Sequence, residues 1–301
     1  MIKNRFVLID AFALIYRAYY ALPPSLTTDG NPIQAAYGFT SALLSSIKTL
    51  DPEYLAVGMD KGRSHRVKDF TEYKIHRKPT PDDLVSQIPY VQDILKTMNI
   101  PTFAVEGFEG EDTVATIVAK SKCQNKNDKL EYILVTGDMD LLQLIDEDTK
   151  VYSMARGINQ AQMYDIEKVK ERYGLLPSQF VDFKALKGDA SDNIPGVPGI
   201  GEKGASKLII EYKNLENIFE NIDKLSSKYQ TIFKENEEIA KMSQKLSKIR
   251  DDVPLEFDLK EAKVHEYDQV KTAALFNKLG FKSLISRLHQ EEKKELQSKL
   301  F

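Results

Sequence analysis

With 301 residues, the chain is long enough for one large domain with an appendage or for two modest domains. Its composition, 42% apolar and 29% charged, is that of an ordinary soluble globular protein, and a net charge of −3 leaves any nucleic-acid partner to be decided by how the charges are distributed. The single cysteine, Cys123, excludes a disulfide framework and a multi-cysteine zinc site, and predicts a reducing cytoplasm.

Three short apolar runs predict buried strands, and each ends in acidic residues: 6-FVLID-10, 54-YLAVGMD-60 and 132-YILVTGDMD-140. Helical patterns around 33–49, 82–98 and 112–122 alternate with these runs. This alternation predicts an α/β fold with a doubly wound, mostly parallel sheet. The uncharged stretch 30–47 contains several polar residues, so it predicts an amphipathic helix and not a membrane span.

The second half of the chain has a different character. After about residue 180 the strand signal fades, so we predict a catalytic domain over 1–180 and a helical region over 181–301. Residues 257–260 are interpreted as a short additional strand, and the charged run 290-QEEKKELQSKL-300 as a solvated helical face.

Acidic residues recur where the strands end. A single aspartate at such a place commonly caps a helix, and for Asp112 alone we favour that interpretation. Several carboxylates at one sheet edge would instead repel one another, unless hard divalent cations such as Mg²⁺ or Mn²⁺ lie among them. Two such ions about 4 Å apart suit in-line phosphoryl displacement. The acidic residues of this set are Asp10, Asp60, Glu109, Glu111, Asp112, Asp138, Asp140, Asp189 and Asp192.

A basic segment, 61-KGRSHRVKDFTEYKIHRK-78, follows Asp60 directly. Runs of this kind are usually solvated loops. Here lysines and arginines alternate with aromatic residues, which is the combination that holds phosphates and stacks bases. Arg17, on the helix after Asp10, is a weaker candidate for a phosphate contact.

The segment 187-KGDASDNIPGVPGIGEKGASKL-208 combines two acids with a glycine-rich turn. Gly196, Gly199 and Gly201 allow backbone amides to approach a phosphate closely, and Lys203 and Lys207 lie four residues apart on the helix that follows. Such backbone contacts position a duplex without reading its sequence. The glycine pattern alone is weak.

Four stretches together carry a family resemblance over about residues 4–290: 14-LIYRAYYALPP-24, 73-YKIHRKPTPDDL-84, 136-TGDMDLLQL-144 and 186-LKGDASDNIPGVPGIGEKGA-205. They resemble the 5′-nuclease domain of bacterial DNA polymerase I, in the family of flap endonucleases and phage 5′ exonucleases. The resemblance implies a PIN-like domain with a helical arch at about 61–90 and a helix–three-turn–helix element at about 186–212.

The resemblance also implies roles for individual residues. All nine acidic residues would be ligands of two Mg²⁺ ions, with Mn²⁺ as a substitute and with Asp192 acting through water. Lys74 and Arg77 would bind the scissile phosphate. Together with Asp138 and Asp140 they form the implied catalytic set.

Further roles concern DNA. The resemblance implies that Tyr73 is a stacking platform and that Arg66 makes a further contact. The loop 196–203 would clamp the DNA backbone and bind K⁺ through its carbonyls.

One departure concerns 109-EGED-112, where bacterial relatives usually have Glu-Ala-Asp-Asp. The glutamate at the third position resembles the eukaryotic and archaeal flap endonucleases. Its longer side chain must retract, and Gly110 is expected to supply the space.

The implied activity is that of a Mg²⁺-dependent 5′–3′ exonuclease and 5′-flap endonuclease in primer removal and DNA repair. Its partners would be DNA with 5′ ends or flaps, RNA primers in hybrids, and, functionally, a polymerase and a ligase. We expect a monomeric, free-standing enzyme of the bacterial cytoplasm without a membrane partner.

Two alternatives stay open. The first is a catalytically weak homologue that binds DNA junctions, although a binder gains nothing from carboxylates that repel its ligand. The second is a haloacid-dehalogenase-type phosphomonoesterase, which would require Asp-x-Asp where the chain has Asp10-Ala11-Phe12.

Overall fold

A six-stranded sheet forms the centre of the protein, in the order β5-β4-β1-β6-β7-β8. The structure is a computed structural model, and it describes residues 4–24, 26–28, 30–125, 129–264 and 267–288. All neighbouring pairs of this sheet are parallel except β7 and β8. β2 and β3 form a separate antiparallel ribbon. The strands are β1 (Asn4–Asp10), β2 (Thr27–Thr28), β3 (Asn31–Pro32), β4 (Tyr54–Gly58), β5 (Thr102–Phe103), β6 (Leu130–Thr136), β7 (Thr149–Ser153) and β8 (Gln162–Tyr164).

Helices cover the sheet and make up the C-terminal region. The α-helices are α1 (Ala11–Ala21), α2 (Gln34–Leu50), α3 (Arg66–Asp69), α4 (Asp82–Val85), α5 (Ile88–Thr97), α6 (Gly110–Gln124), α7 (Ile166–Tyr173), α8 (Phe180–Lys187), α9 (Glu202–Tyr212), α10 (Leu215–Glu220), α11 (Ser227–Glu235), α12 (Glu237–Ser247) and α13 (Gln269–Lys278). Short 3₁₀ helices lie at Asp140–Leu144, Ile158–Gln160, Pro177–Gln179, Ile222–Lys224 and Leu259–Ala262.

The two faces of the sheet bury separate cores. Along β1, Phe6 and Leu8 point into the core shared with α6, while Val7 and Ile9 point into the core shared with α2. This alternation is the period-two pattern of a strand that is covered on both faces. The three predicted strands and the α/β class are therefore confirmed.

Two local predictions are wrong. Residues 257–260 pair with no strand of either sheet; instead a 3₁₀ helix begins at Leu259, where the Asp258 side chain accepts a hydrogen bond from Lys260 N. The predicted helix over 82–98 is divided into α4 and α5, because Pro89 in the first turn of α5 has no amide hydrogen with which to continue a helix from α4. The run 290–300 lies outside the described residues.

The segment 61–90 and the turn between α8 and α9 contact each other above the carboxyl edge of the sheet. Lys74 N donates to Asp192 O at 2.9 Å, and the Asn193 side chain donates to Glu72 O at 2.8 Å. Lys74 and Asn193 both have positive φ angles, of 58° and 55°. Such backbone is costly, so the surrounding contacts must hold it. Among the described helices, none is long and apolar enough to cross a membrane.

Candidate metal centre

One cavity of about 550 Å³ lies over the carboxyl edge of the sheet, and eight carboxylates line it. They come from β1, from the segments after β4 and β6, from the start of α6 and from the turn after α8. Parallel strands bring their carboxyl ends to one edge, which explains why residues so distant in sequence meet here. The eight residues are Asp10, Asp60, Glu109, Glu111, Asp138, Asp140, Asp189 and Asp192.

Backbone and hydroxyl groups orient the first of these acids. Asp10 ends β1 and accepts a hydrogen bond from Thr136 Oγ1 at 2.9 Å. Asp60 accepts from Gly110 N at 2.7 Å. A Cβ on Gly110 would lie 3.1 Å from an oxygen of Asp10 and of Asp60, so the missing side chain leaves room for both carboxylates. The space that Gly110 leaves is thus occupied by Asp10 and Asp60, whereas from the sequence we expected it to serve Glu111.

A second group of acids surrounds a buried lysine. Asp140 N donates to Asp138 Oδ1 at 3.0 Å, which fixes the acid pair after β6. Lys184 Nζ lies 2.6 Å from Asp140 Oδ2 and 2.7 Å from Asp189 Oδ2. Burial alone would lower the pKa of Lys184, but the two carboxylates raise it, so the lysine is held in its charged form.

Basic residues of the 61–90 segment also reach the acids. Lys74 forms a very short ion pair with Glu109 and lies 3.8 Å from Asp192. Arg77 lies 2.5 Å from Asp192 Oδ1, and Tyr73 donates to Asp192 Oδ2 at 3.1 Å. Both oxygens of Asp192 therefore have protein partners, which is compatible with an indirect role toward a metal.

A divalent cation fits the chemistry of these donors. Burial, followed by the neighbouring Asp60 carboxylate, raises the pKa of Asp10 to about 7. Desolvation beneath the neighbouring elements and the Glu109 carboxylate likewise raise the pKa of Asp60 to about 6. Because the side chain is open to the cavity, solvent there screens part of this effect. The buried Glu109 Oε1 has no hydrogen-bond partner among the described residues. Carboxylate oxygens are the donors that Mg²⁺ and Mn²⁺ prefer.

The side chains do not yet enclose an ion. Within the described ranges, no three acidic, histidine or cysteine side chains are gathered closely enough to hold a metal. The ammonium groups of Lys74 and Lys184 lie against the carboxylates that would have to converge. A divalent ion would therefore compete with these lysines for the same oxygens.

Asp112 does not belong to this cavity, which corrects its prediction as a metal ligand. Its side chain is fully buried, and both oxygens accept hydrogen bonds from Arg66 at 2.8 Å. It also completes a capping box at the start of α6, by accepting from Glu109 N at 3.4 Å. The helix-capping interpretation, favoured for Asp112 considered alone, describes it correctly.

Arg66 and Tyr73 are likewise not available to DNA. Arg66 is 2% exposed, and besides Asp112 it donates to Leu246 O at 3.1 Å and Lys248 O at 3.0 Å. Tyr73 is 4% exposed and packs beside Ile194 and Leu246. A guanidinium without a free face cannot contact phosphate, and an enclosed ring cannot stack on a base, so both predictions are corrected.

Part of the glycine-rich loop is used for contacts within the protein: Gly196 N is buried and donates to Ser243 Oγ at 3.1 Å, so this amide is not open to a phosphate as the sequence predicts. Gly196 and Gly199 have φ angles of 65° and 84°, and Gly201 precedes the first turn of α9. A Cβ on Gly196 would lie 2.3 Å from Gly188 N, so the two segments of the turn require glycine in order to touch. Lys203 and Lys207 are exposed on α9.

Several cavity residues were missed by sequence reasoning. Lys184 is the most important; it lies four residues after the buried Phe180, on the same face of α8, which could have indicated that it points inward. The other missed residues stand in no acidic or basic motif that would have indicated a site. The lining includes Phe12, Tyr16, Tyr173, Phe180, Phe183 and Lys187.

The raised pKa of Asp10 predicts how stability depends on pH. In EDTA, the free energy of unfolding should fall between about pH 5 and pH 7.5, because the folded chain releases a proton that unfolded Asp10 has already lost. Asp10→Asn should make this dependence shallower, with a remainder from Asp60, whose pKa is also raised. The full rise from 3.8 to about 7, at about 1.4 kcal/mol per unit, corresponds to about 4 kcal/mol for this 6% exposed side chain, and roughly 2–3 kcal/mol of it is lost between about pH 5 and pH 7.5.

Urea unfolding followed by circular dichroism at several pH values measures this effect. The matched control is Asp51→Asn, which replaces an exposed carboxylate with positive φ at the end of α2. An Asp10→Asn profile as steep as that of the parent chain would contradict the assignment.

Comparison with known proteins places this geometry in a family. Residues 5–174 match the model of the 5′-3′ exonuclease N-terminal resolvase-like domain, and residues 175–270 match the 5′-3′ exonuclease C-terminal SAM fold. DNA polymerase I of Caldicellulosiruptor bescii is 40% identical over 291 residues, which cover 96% of this chain and 34% of that protein. DNA polymerase I of Bacillus subtilis is 36% identical, with 96% and 33% covered. The chain thus spans about a third of the length of these relatives.

Solved structures show the same fold. A structure of T5 5′-exonuclease with bound divalent metal ions (zinc) has a TM-score of 0.64 at 23% identity, covering 95% of this chain and 98% of that one. The catalytic core of Rad2 in complex with DNA substrate has a TM-score of 0.59 at 15% identity, covering 92% and 88%. Since the first family model alone covers more than half of the sequence, the chain belongs to the 5′-3′ exonuclease family.

Proposed function

We propose that the protein hydrolyses DNA phosphodiesters as a Mg²⁺-dependent 5′–3′ exonuclease and 5′-flap endonuclease. The observation that carries the proposal is the cavity in which eight carboxylates meet Lys74 and Arg77. A phosphate-binding pair beside oxygen donors for cations is the arrangement that two-metal phosphoryl transfer requires. The T5 and Rad2 structures with metal ions or DNA support this assignment by their fold.

The roles of the residues follow from their positions. Asp10, Asp60, Glu109, Glu111 and the pair Asp138 and Asp140 would hold two Mg²⁺ ions, or Mn²⁺, with Asp189 and Asp192 at the border. Bound there, divalent ions would lower the pKa of a water and neutralise charge on the phosphate.

The basic residues would act on the phosphate itself. Lys74 and Arg77 can leave Glu109 and Asp192 to hold phosphate oxygens, since Arg77 is already half exposed. Their charges would also stabilise negative charge that develops during cleavage. The products would carry a 5′-phosphate and a 3′-hydroxyl.

The loop 196–203 and α9 would hold the duplex. The exposed Lys203 and Lys207, with the amides at the start of α9, suit the DNA backbone, and carbonyls of the loop would hold K⁺. We further propose action on RNA primers in hybrids, as a monomer, in replication and repair alongside a polymerase and a ligase.

Cleavage of a labelled 5′-flap oligonucleotide tests the proposal. The flap should be released with Mg²⁺ or Mn²⁺ and not with EDTA. The downstream strand left at the nick should carry a 5′-phosphate, so a ligase should join it to the adjacent 3′-hydroxyl. Binding without cleavage across a range of both ions would favour the alternative of a DNA-junction binder. Turnover of small phosphate esters without action on DNA would favour a phosphomonoesterase.

Lys203→Ala tests the duplex contact. We expect weaker binding that is uniform across DNA sequences, and a slope of log K against log salt that is lower by about 0.9, because one phosphate contact is lost. Fluorescence anisotropy over a salt series measures both quantities. Lys260→Ala, at an exposed position near the opposite edge of the sheet, is the control. A loss that differs between DNA sequences would count against a backbone contact.

A further inference from the structure

Three arginines surround a small cleft beside the acidic cavity. Arg17 comes from α1, Arg156 from the turn after β7, and Arg172 from α7. The cleft has a volume of about 60 Å³, and Arg156 and Arg172 line it together with Gln160, Gln162 and Tyr164. Arg17 joins the group by donating a very short hydrogen bond to Ala155 O, on the rim of the same cleft.

Aromatic and backbone contacts hold two of these side chains in place. The Arg172 guanidinium lies 5.5 Å from the centre of the Tyr164 ring and 5.0 Å from that of Tyr173, and it donates to Tyr164 Oη. Arg17 is held by its hydrogen bond to Ala155 O, next to the turn at Gly157. Guanidinium groups ordered in this way lose little entropy when they bind an anion.

The three arginines differ from the other cations near the site in their partners. Lys74, Arg77 and Lys184 each form an ion pair with a carboxylate of the cavity. For Arg17, Arg156 and Arg172, no Asp or Glu oxygen of the described residues lies within 4.0 Å. Burial lowers the pKa of Arg17, and no acid opposes the effect. An ordered cationic group without an acidic partner favours an external anion.

The position of the cleft indicates which anion. Met139 lines both the cleft and the acidic cavity, so the two lie side by side. The segment 61–90 follows β4, whereas Arg156 follows β7, three strands further along the sheet edge. At about 4.8 Å per strand the carboxyl ends of β4 and β7 are about 14 Å apart, and Asp10 and Asp138 lie at or just after the ends of the two strands between them.

A nucleic acid strand spans that distance readily. A single strand carries one charge per about 3.4 Å of helix rise, so 14 Å corresponds to about four phosphates. On α1, Arg17 lies seven residues after Asp10, which is about 10 Å along the helix axis. A strand whose phosphate lies at the acids would therefore bring another phosphate to the arginines.

We propose that Arg156 and Arg172 join Arg17, the phosphate contact already predicted from the sequence, in binding the phosphate backbone of the DNA substrate on the β7–β8 side of the acidic cavity. Together with Lys74 and Arg77 they hold the strand on both sides of the cleaved bond. The inference rests on the proposed nuclease function and extends it to a binding site outside the cavity.

The test uses Arg156→Gln/Arg172→Gln, since both side chains are exposed and their loss leaves the cores unchanged. The matched control, Lys260→Gln/Lys263→Gln, removes the same charge near the amino end of β4, at the opposite edge of the sheet. Binding of the flap oligonucleotide is measured by anisotropy in Ca²⁺ over a salt series, with circular dichroism as the check on folding.

We expect the arginine variant to bind on the order of tenfold more weakly at 0.1 M salt, with a salt slope lower by about 1.4–1.8, the value for two phosphate contacts in single or double strands. The control should change neither quantity. An arginine variant that is folded and binds with the parent's slope would overturn the inference. Failure of the parent protein to cleave the flap would instead overturn the proposed function, so the two failures are distinguishable.

Discussion

Asp138→Ala is expected to lower the rate of flap cleavage on the order of 10³-fold while DNA binding persists. Asp138 is exposed to the cavity, and its hydrogen bond to Asp140 N orders the acid pair after β6. Metal ions contribute several kcal/mol of charge stabilisation in phosphoryl transfer, and about 1.4 kcal/mol corresponds to tenfold in rate. Because the side chain is exposed, its loss should cost little stability.

Single-turnover kinetics in Mg²⁺ and anisotropy in Ca²⁺ measure the two effects separately. The matched control is Asp148→Ala, which removes an exposed carboxylate just before β7, at the opposite edge of the sheet. Unchanged turnover in Asp138→Ala would refute the metal assignment. Loss of folding together with cleavage would show that Asp138 is structural.

Arg66→Met is expected to destabilise the protein by about 3–5 kcal/mol. The substitution leaves the fully buried Asp112 carboxylate without its bidentate partner, and an unpaired buried charge is costly. In the double variant Arg66→Met/Asp112→Leu, an apolar pair replaces both charges, so most of the stability should return. Urea unfolding of the two single variants and the double variant gives the coupling energy.

Arg5→Met is the matched control for this cycle. It removes a partner of the buried Glu131 carboxylate, but Lys150 remains 2.9 Å from Glu131, so the loss should be near 1 kcal/mol at most. A loss for Arg66→Met as small as that for Arg5→Met would show that Asp112 finds another partner. Arg66 also lies 3.5 Å from Glu111, so the stable double variant should still cleave more slowly.

The carboxyl edge of the sheet could be predicted from the sequence because strand ends have a local signature. Asp10, Asp60 and Asp138 each follow an apolar run, and parallel topology brings them together. Glu109 and Asp189, which lie on other elements, were grouped with these acids from the sequence, and the family resemblance then implied their role as metal ligands.

The side chains that sequence reasoning placed wrongly or did not identify depend on distant contacts. Arg66 belongs to a basic run that is expected to be exposed to solvent, yet its partners include the carbonyls of Leu246 and Lys248, some 180 residues away. Lys184 looks like an ordinary helical lysine until Asp140 and Asp189 are brought against it. Local patterns carry no information on such pairing.

The C-terminal end of the described chain returns to the layer where the chain begins. Phe276, Phe281, Leu284 and Leu288 are buried in the core that contains Val7, Ile9 and α2. The matched exonuclease region ends at 270, before all four of these side chains. A protein cut at residue 270 would therefore expose an apolar groove along α2 and α5, and we expect it to aggregate.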